Sequence, residues 1–354
     1  MKLGFMTLGD LDADPLTGKK ISPKQRLDEI VAAAVVTEEL GLDVYSVGEH
    51  HHVDWVLTAP PVVLAAIGAK TKRIRLMTGV TLIGNLDPVR VAEDYGTLDV
   101  LCGGRLEVVV AKGLFPQPWP LFGQDESRSR ERLNEGVDLL LKIWTEEPPV
   151  RWKGTVRPEL AHASIGPRPL QTPPRIWNGV SSSPQSADFA ASRGLPIFLG
   201  AHIKNLAHGG SIIEHFRERT ARAGFDPNGL PVGAGGSLYI RHDGKRARRE
   251  FRPYFEQGAR FSLSHRNLPF NGVDFDGLLS DGALLCGSPE EIVDRLIRMH
   301  EVFGHDVHLC QADVGGMPWA AVRETMELFA TEVAPVVKAA TGMDRLDSEL
   351  VVPV

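Results

Sequence analysis

The sequence has few cysteines and no long apolar run, and each of these absences excludes a class of protein. Its 354 residues include only three cysteines, Cys102, Cys286 and Cys310, and no C-x-x-C pair. Such a set is typical of a reducing compartment rather than of a disulfide framework. No stretch approaches the roughly 18 apolar residues of a membrane span, and the first residues do not have the pattern of a signal peptide. We therefore expect a soluble, cytoplasmic protein with no membrane partner.

Positive charge is not in excess either, which argues against nucleic acid as a partner. The chain carries 39 lysines and arginines against 45 aspartates and glutamates, for a formal net charge of -6. A surface that binds nucleic acid or an anionic membrane needs a basic excess. The content of 43% hydrophobic and 24% charged residues is ordinary for a globular enzyme. The composition therefore favours a globular catalyst or binder of small molecules.

Apolar runs and helical periodicities alternate along the chain, which indicates repeated strand-helix units. Strands are predicted at residues 2–7, 43–47, 74–78, 106–111, 175–178, 196–199, 232–240 and 307–311. Helices are predicted at residues 23–40, 60–70, 88–100, 127–144, 184–193, 205–223, 244–257 and 319–340. Eight such units favour a closed α/β barrel, the (β/α)8 or TIM barrel, over an open doubly wound sheet. Because such barrels need about 250 residues or more, we expect residues 1–354 to form a single barrel domain with insertions.

Two stretches interrupt this alternation. Residues 146–172 are rich in proline, arginine and glycine, and we expect them to form an excursion after the fourth helix. Residues 258–285 contain glycine, serine, asparagine and aspartate and precede a further helix predicted at residues 289–303. Long irregular insertions in a compact domain are usually lids or binding loops. We expect residues 258–285 to form a lid over the active site.

The most informative strand end follows the second predicted strand, where His50, His51 and His52 are consecutive. Reactive groups of a barrel lie on the loops after its strands. Side-chain alternation directs His50 and His52 to one side and His51 to the other, so His50 is a candidate general base at the barrel mouth. A histidine that only shapes the pocket is one alternative. Another is the metal site of a hydrolase, for which the available further ligands are His202, His208 and Asp313.

A phosphate pocket is predicted from a serine run and a lysine on neighbouring strand ends. Ser183 and Ser186 lie at the start of a helix, where free backbone N–H groups and hydroxyls bind anions. Lys112, after the fourth strand, would add positive charge. Capping of the helix is the plain alternative for these serines. After the third strand, Gly79 would let the backbone approach a flat ring closely, or would simply form a tight turn.

Several of these strand ends belong to longer motifs that occur in order along nearly the whole chain. They are VGEHH at residues 47–51, TGV at 78–80, DPVRVAED at 87–94, LDVLCGGR at 98–105 and GLF at 113–115. This ordered set resembles the bacterial luciferase-like family of flavin-dependent monooxygenases. Cys102 stands where the family usually has serine, and the resemblance is weakest at residues 241–285.

The resemblance implies an activity as well as a fold. Such an oxidoreductase is a flavoprotein that receives reduced FMN from a separate flavin reductase and reacts it with O2 to give a flavin hydroperoxide. This species oxygenates a small organic substrate in a dry pocket, with His50 as the base. The resemblance also implies a homodimer formed through barrel helices, for which residues 60–70 and 88–100 are the plausible faces.

The resemblance assigns the phosphate pocket to the cofactor. Lys112 matches a basic phosphate ligand that is arginine in luciferase, so the charge is kept but the bidentate geometry is lost. Ser183 and Ser186 match hydroxyl ligands of the flavin phosphate, and Ser182 lies beside them in the same run. No metal ligand is implied.

The flavin ring is placed by the same resemblance. Gly79 and Val80 match a bulge behind the ring, where the family has a non-prolyl cis peptide bond. Phe115 would line the ring, and Ala111 stands where luciferase has a reactive cysteine. The candidates for an apolar substrate wall are Trp119, Phe261, Phe270 and Trp319, although each could equally belong to ordinary core or lid packing.

Two other functions remain open on this resemblance. Deazaflavin (F420)-dependent oxidoreductases share the barrel, the histidine and the bulge, but they transfer hydride and need no oxygen. Some relatives bind flavin without turnover, although His50 and the predicted lid argue against this for the present chain.

Overall fold

The computed structural model describes residues 1–181, 184–200, 203 and 205–342. Its strands are β1 (Lys2–Thr7), β2 (Val44–Val47), β3 (Arg75–Thr78), β4 (Leu106–Val110), β5 (Val150–Trp152), β6 (Leu160–Ala163), β7 (Arg175–Val180), β8 (Ile197–Leu199), β9 (Val232–Ile240), β10 (Leu285–Gly287) and β11 (Val307–Gln311). Its α-helices are α1 (Pro23–Glu39), α2 (Pro60–Lys70), α3 (Pro88–Leu101), α4 (Pro118–Leu121), α5 (Ser129–Thr145), α6 (Pro184–Ala191), α7 (Leu206–Arg222), α8 (Gly244–His265), α9 (Phe275–Ser280), α10 (Pro289–Phe303), α11 (Trp319–Leu328) and α12 (Ala334–Thr341). Among the residues described, no helix has both the length and the apolar character needed to cross a membrane.

Eight parallel strands close into one barrel. They pair in the order β1, β2, β3, β4, β7, β8, β9 and β11, and β11 pairs in turn with β1. Helices connect successive strands on the outside, as parallel neighbours require. The (β/α)8 barrel predicted from the alternation of elements is therefore confirmed.

Side-chain alternation along the strands divides the core into two layers. Val109 of β4 belongs to the layer inside the barrel, whereas its neighbours Val108 and Val110 belong to the layer between strands and helices. The buried members of the inner layer are Met6, Val44, Met77, Val109, Trp177, Phe198, Val307 and Leu309. The barrel interior is thus a packed core rather than a pore, and its upper side chains form the floor of a cavity.

Local sequence fixes where several helices begin. The side chains of Ser22 and Asp87 accept hydrogen bonds from backbone N–H groups in the first turns of α1 and α3. Both helices continue with a proline, which has no N–H to satisfy there. Ser288 and Glu291 form a capping box at the start of α10. Because these signals are local, the observed helix starts agree closely with the predicted ones.

Helix α8 is longer than the sequence predicts. Its end was expected at residue 257, but it continues to His265, so residues 258–265 of the predicted irregular insertion are helical. Gly258 and the serines of this segment give it little helical propensity. The ring of Phe261 packs 4.8 Å from that of Trp55, and such tertiary contacts stabilise the extra turns.

Other differences concern short or distorted elements. Strands β5 and β6 form an antiparallel pair within residues 146–172, and β10 pairs with the end of β9. Strands of three or four residues have no periodic pattern long enough to recognise. The helix predicted at residues 319–340 is divided by the π-helical turn Phe329–Val333. Pro335, which has no N–H for a regular helical bond, lies just beyond this turn.

Candidate active site

A cavity of about 840 Å³ opens at the carboxyl ends of the barrel strands. The predicted site residues that line it are His50, Gly79, Val80, Lys112, Phe115 and Ser186. The two remaining predictions, Ser182 and Ser183, lie outside the described residues. The structure therefore brings together around one cavity every described residue that the sequence singled out for catalysis or cofactor binding.

The loop after β3 presents backbone atoms to the cavity. The peptide bond between Gly79 and Val80 is cis, which confirms the prediction. Gly79 has no room for a side chain, because an added Cβ would lie 2.6 Å from the hydroxyl oxygen of Ser46. Ser46 is buried and lines the cavity, and its hydroxyl has no hydrogen-bond partner among the described residues. No sequence pattern indicated this serine, because small side chains are common in strands.

Consecutive histidines after β2 take different positions. His51 Nε2 lies 2.8 Å from Glu49 Oε1, and the second carboxylate oxygen of Glu49 accepts a 3.0 Å hydrogen bond from the backbone N–H of Leu82. Glu49 is buried and joins the loop after β2 to the loop after β3. The ring of His50 turns instead to the indole of Trp55. His52 also contacts Trp55, so His50 and His52 share a side as predicted, but His51 lines the cavity as well, and Glu49 holds the loop that carries all three.

An aromatic wall surrounds His50. The His50 ring is stacked on Trp55 and is edge-on to Phe115, with both pairs of ring centroids 4.9 Å apart. Phe115 and Phe261 also contact Trp55, at 5.3 and 4.8 Å. Sequence reasoning missed Trp55, although a tryptophan in the loop after the histidine run was an available signal, because functional side chains concentrate on such loops.

Three of the four predicted substrate-wall residues are elsewhere. Phe261 lines the cavity, whereas Trp119, Phe270 and Trp319 do not. Trp119 is buried in α4, Phe270 lies under the guanidinium of Arg260, and Trp319 packs on the hydrophobic core from the start of α11. For these three residues the alternative of ordinary packing holds, because apolar character indicates burial but does not say against which surface a side chain packs.

The residues that line the cavity include cationic side chains and hydroxyl groups. Lys112 and Arg130 both line it, and within the described part of the chain neither forms an ion pair with a carboxylate. Ser181 and Ser186 line the same cavity, and Ser186 lies in the first turn of α6. Sequence reasoning missed Arg130, because it lies in α5 rather than directly after a strand. Two positive charges and two hydroxyls near a helix start form an environment that suits an anion.

A buried cluster of titratable side chains lies beside the cavity at the ends of β1 and β11. Arg26 Nη2 donates to Asp313 Oδ2 at 2.6 Å and lies 3.7 Å from Asp10 Oδ1. Thr7 Oγ1 also donates to Asp313. Burial raises the pKa of Asp10 to about 7, although the positive charge of Arg26 opposes this rise. Asp10 lines the cavity and is a titratable group that the sequence did not indicate.

The ligand set considered for a metal-dependent hydrolase is not assembled among the described residues. Asp313 is engaged by Arg26, and His208 is exposed in the first turn of α7. His202 lies outside the described residues. The structure instead groups a different set of three side chains, which consists of His52, Asp54 and His265.

Residues 1–306 match the family model of the luciferase-like monooxygenases. One curated relative is the oxygenase component of the flavin-dependent trigonelline monooxygenase of Acinetobacter baylyi. It is 23% identical over 333 residues, which cover 88% of this chain and 90% of the relative. The monooxygenase RslO1 from Streptomyces bottropensis is a similar solved structure, with a TM-score of 0.85, 28% identity and coverage of 95% of this chain and 99% of that one.

The fold is shared with flavin and deazaflavin proteins. The oxygenating constituent of 3,6-diketocamphane monooxygenase from Pseudomonas putida, solved with FMN, has a TM-score of 0.76 at 19% identity, covering 95% of this chain and 98% of that one. An F420-dependent secondary alcohol dehydrogenase has a TM-score of 0.74 at 20% identity, with 95% and 99% coverage. Structural similarity at 19–20% sequence identity shows only that the fold is shared. The match to the family model, in contrast, is a match in sequence and spans residues 1–306. The chain therefore belongs to the luciferase-like monooxygenase family and is an oxidoreductase.

Proposed function

We propose that this protein is a flavin-dependent monooxygenase that uses reduced FMN and O2 to oxygenate a small organic substrate, with His50 as the base. The observation that carries the proposal is a single cavity whose lining includes His50, Gly79, Val80, Lys112 and Ser186. Family membership supports it, as does the similarity to a flavin-dependent oxygenase component.

The cavity fits the ring end of a flavin. Gly79 has no side chain, so a flat ring can approach the backbone of Gly79 and Val80 closely. Ser46, buried beside this surface, has a hydroxyl free among the described residues to meet a polar ring edge. Phe115 supplies apolar area on the same cavity.

It also fits the phosphate end. Lys112 and Arg130 supply two positive charges, and Ser181 and Ser186 supply hydroxyls near the start of α6. A dianionic phosphate is stabilised by charge-assisted hydrogen bonds of this kind. We propose that Ser182 and Ser183, which lie between Ser181 and Ser186 in the sequence, belong to the same phosphate site.

The residues of this chain divide the remaining work. When bound, reduced FMN supplies the two electrons that reduce O2, so that one oxygen atom enters the substrate and the other leaves as water. His50 has one donor and one acceptor nitrogen when neutral, and it would hold the proton exchanged with the substrate. Trp55 and Phe115 cover its ring with apolar surface, which helps to exclude water. Residues 258–285, several of which line the cavity, would close over it.

Partners follow from the same proposal. The relative from Acinetobacter baylyi is named as an oxygenase component, which supports the delivery of reduced FMN by a separate reductase. A homodimer through α2 and α3 is supported by the exposure of Val62, Val100 and Leu101 on these helices. Val62→Glu together with Leu101→Glu should then give a monomer in light scattering, whereas an unchanged mass would exclude this interface.

Anaerobic titration with reduced FMN and, separately, with reduced F420 tests the cofactor. We expect saturable binding of reduced FMN, followed on addition of oxygen by O2 consumption and by transfer of isotopically labelled oxygen to an aldehyde or ketone. Absence of reduced-FMN binding would overturn the proposal. Binding of reduced F420 with hydride transfer and no oxygen uptake would identify the deazaflavin alternative. Flavin binding with no turnover across the substrate panel, unaltered by His50→Ala, would indicate a flavin-binding protein instead.

A further inference from the structure

Three side chains of the kind that bind metals meet at the rim of the cavity. Asp54 Oδ2 lies 3.3 Å from His52 Nδ1 and 3.2 Å from Nε2 of His265, the last residue of α8. The ligand atoms of all three residues lie within 4.8 Å of one another. We propose that His52, Asp54 and His265 bind a divalent transition-metal ion, with zinc as the best match.

Hydrogen bonding leaves the unprotonated nitrogen of each neutral imidazole next to this carboxylate. His265 Nδ1 lies 2.9 Å from the carbonyl oxygen of Phe261, so this nitrogen carries the hydrogen and the lone pair of the neutral ring is on Nε2. The backbone N–H of Asp54 donates to His52 Nδ1 at 3.4 Å, so Nδ1 is the unprotonated nitrogen of that ring, and a metal ion would replace this long contact as the partner of its lone pair. When both rings are neutral, the nitrogens nearest the Asp54 carboxylate are therefore those that can bind a cation.

The distances and the ligand types match zinc. Bonds of 2.0–2.1 Å in a tetrahedron place ligand atoms about 3.3–3.4 Å apart, and both nitrogen-to-oxygen separations are close to this value. The His52 side chain is 36% exposed and its ring already packs 4.6 Å from that of His265, so a small rotation would bring the two nitrogens to the same distance. The hydrogen bond from His265 to the Phe261 carbonyl is the type of outer contact that orients a metal-bound imidazole.

Lys20 is the charged group that competes with a metal ion here. Its Nζ lies 3.1 Å from Asp54 Oδ1, whereas both imidazoles contact the other carboxylate oxygen, Oδ2. The Lys20 side chain is half exposed, so its ammonium can move into solvent. Because it shares the carboxylate with the proposed ion, its removal should strengthen metal binding.

A bound ion would join helix α8 to the loop that carries His50. Asp54 and His265 are 211 residues apart in the sequence. The His265 ring packs edge-on against Trp55 at 4.4 Å, and Trp55 is the residue on which His50 is stacked. His52 lines the cavity itself. The metal would therefore hold the end of α8 at the cavity rim, whatever cofactor occupies the site below.

To test this, the full chain is first freed of metal with a chelator. Zinc chloride is then added in the presence of a chromophoric chelator that competes for the ion, and its absorbance reports the zinc bound by the protein. We expect one zinc per chain. Asp54→Asn and His265→Ala should weaken binding by at least about tenfold, whereas His162→Ala, which removes an exposed histidine elsewhere, should not change it. Lys20→Met should tighten binding several-fold. Cobalt(II) in place of zinc should give the visible absorption of a tetrahedral site in the wild type and not in Asp54→Asn.

Hydrogen exchange supplies a readout that does not depend on activity. Zinc should slow exchange at residues 258–265 in the wild type and leave it unchanged in Asp54→Asn. Because asparagine has nearly the same shape as aspartate, this variant keeps the test valid even if His265→Ala does not fold. If zinc binds no more tightly to the wild type than to these variants, or if the wild type binds none, the cluster is an ion-pair network and the proposal is overturned.

Discussion

The imidazole of His50 is stacked on the indole of Trp55, with ring centroids 4.9 Å apart and ring planes inclined by 29°. Trp55 is buried and contacts Phe115 and Phe261 at the same time. The position of the His50 ring is thus supported by a tryptophan that itself packs against the loop after β4 and against helix α8.

Trp55→Ala should lower the oxygenation rate by about 10²-fold, because His50 loses the surface that orients it and small misplacements are costly. Binding of reduced FMN should change little. The rate is measured with saturating reduced FMN and oxygen. Trp55→Phe keeps a stacking surface and should retain most of the activity, so equal losses in the two variants would contradict an orienting role.

His50→Ala should reduce product formation by about 10²–10⁴-fold, the range for loss of a general base. Oxygen consumption should continue, since FMN reoxidation does not require this side chain, and hydrogen peroxide should replace the product. The measurement is the ratio of product to oxygen consumed. The matched control is His162→Ala, an exposed histidine. An unchanged ratio in His50→Ala would remove His50 from the mechanism.

Lys112→Met should weaken binding of reduced FMN by about 10–150-fold, because a charged hydrogen bond contributes about 1.5–3 kcal/mol. Reduced riboflavin, which has no phosphate, should bind equally to the wild type and the variant. Fluorescence titration of both ligands separates a phosphate contact from general damage. Equal weakening for riboflavin would show that Lys112 does not contact the phosphate.

Asp10 should make the stability of the fold depend on pH. Burial raises its pKa from 3.8 to about 7, so between these values the folded chain holds a proton that the unfolded chain has lost. Stability contributed by this carboxyl is therefore present below pH 4 and is lost as the pH rises towards 7. Urea unfolding between pH 4 and 7 should show this decline, at most about 1.4 kcal/mol per pH unit, as a difference in slope between the wild type and Asp10→Asn. Parallel profiles would exclude Asp10 as the source.

The barrel strands could be predicted because each is a short apolar run bounded by turn residues. Local pattern did not predict β10 or the last eight residues of α8, 258–265. Strand β10 has three residues and depends on its pairing with β9. Residues 258–265 of α8 are helical although glycine and serine disfavour it, and their contacts with Trp55 come from a distant loop.

Site residues divide in the same way. His50, Gly79 and Lys112 directly follow strands, so barrel topology alone brings them to one cavity. Arg130 reaches the cavity from a helix, and the apolar residues Trp119 and Trp319 pack elsewhere. The apolar or charged character of a side chain does not predict which residues it contacts in the folded chain.

The sequence by itself determined the order of strands and helices, the helix starts and the residues at the strand ends, because these depend on neighbours a few positions away. Only the tertiary structure decided that Trp55 orients His50, that burial changes the titration of Asp10 and that His265 reaches Asp54. These relationships join segments up to 211 residues apart. Contacts at that separation arise from how the barrel closes and how its loops pack, which no local pattern encodes.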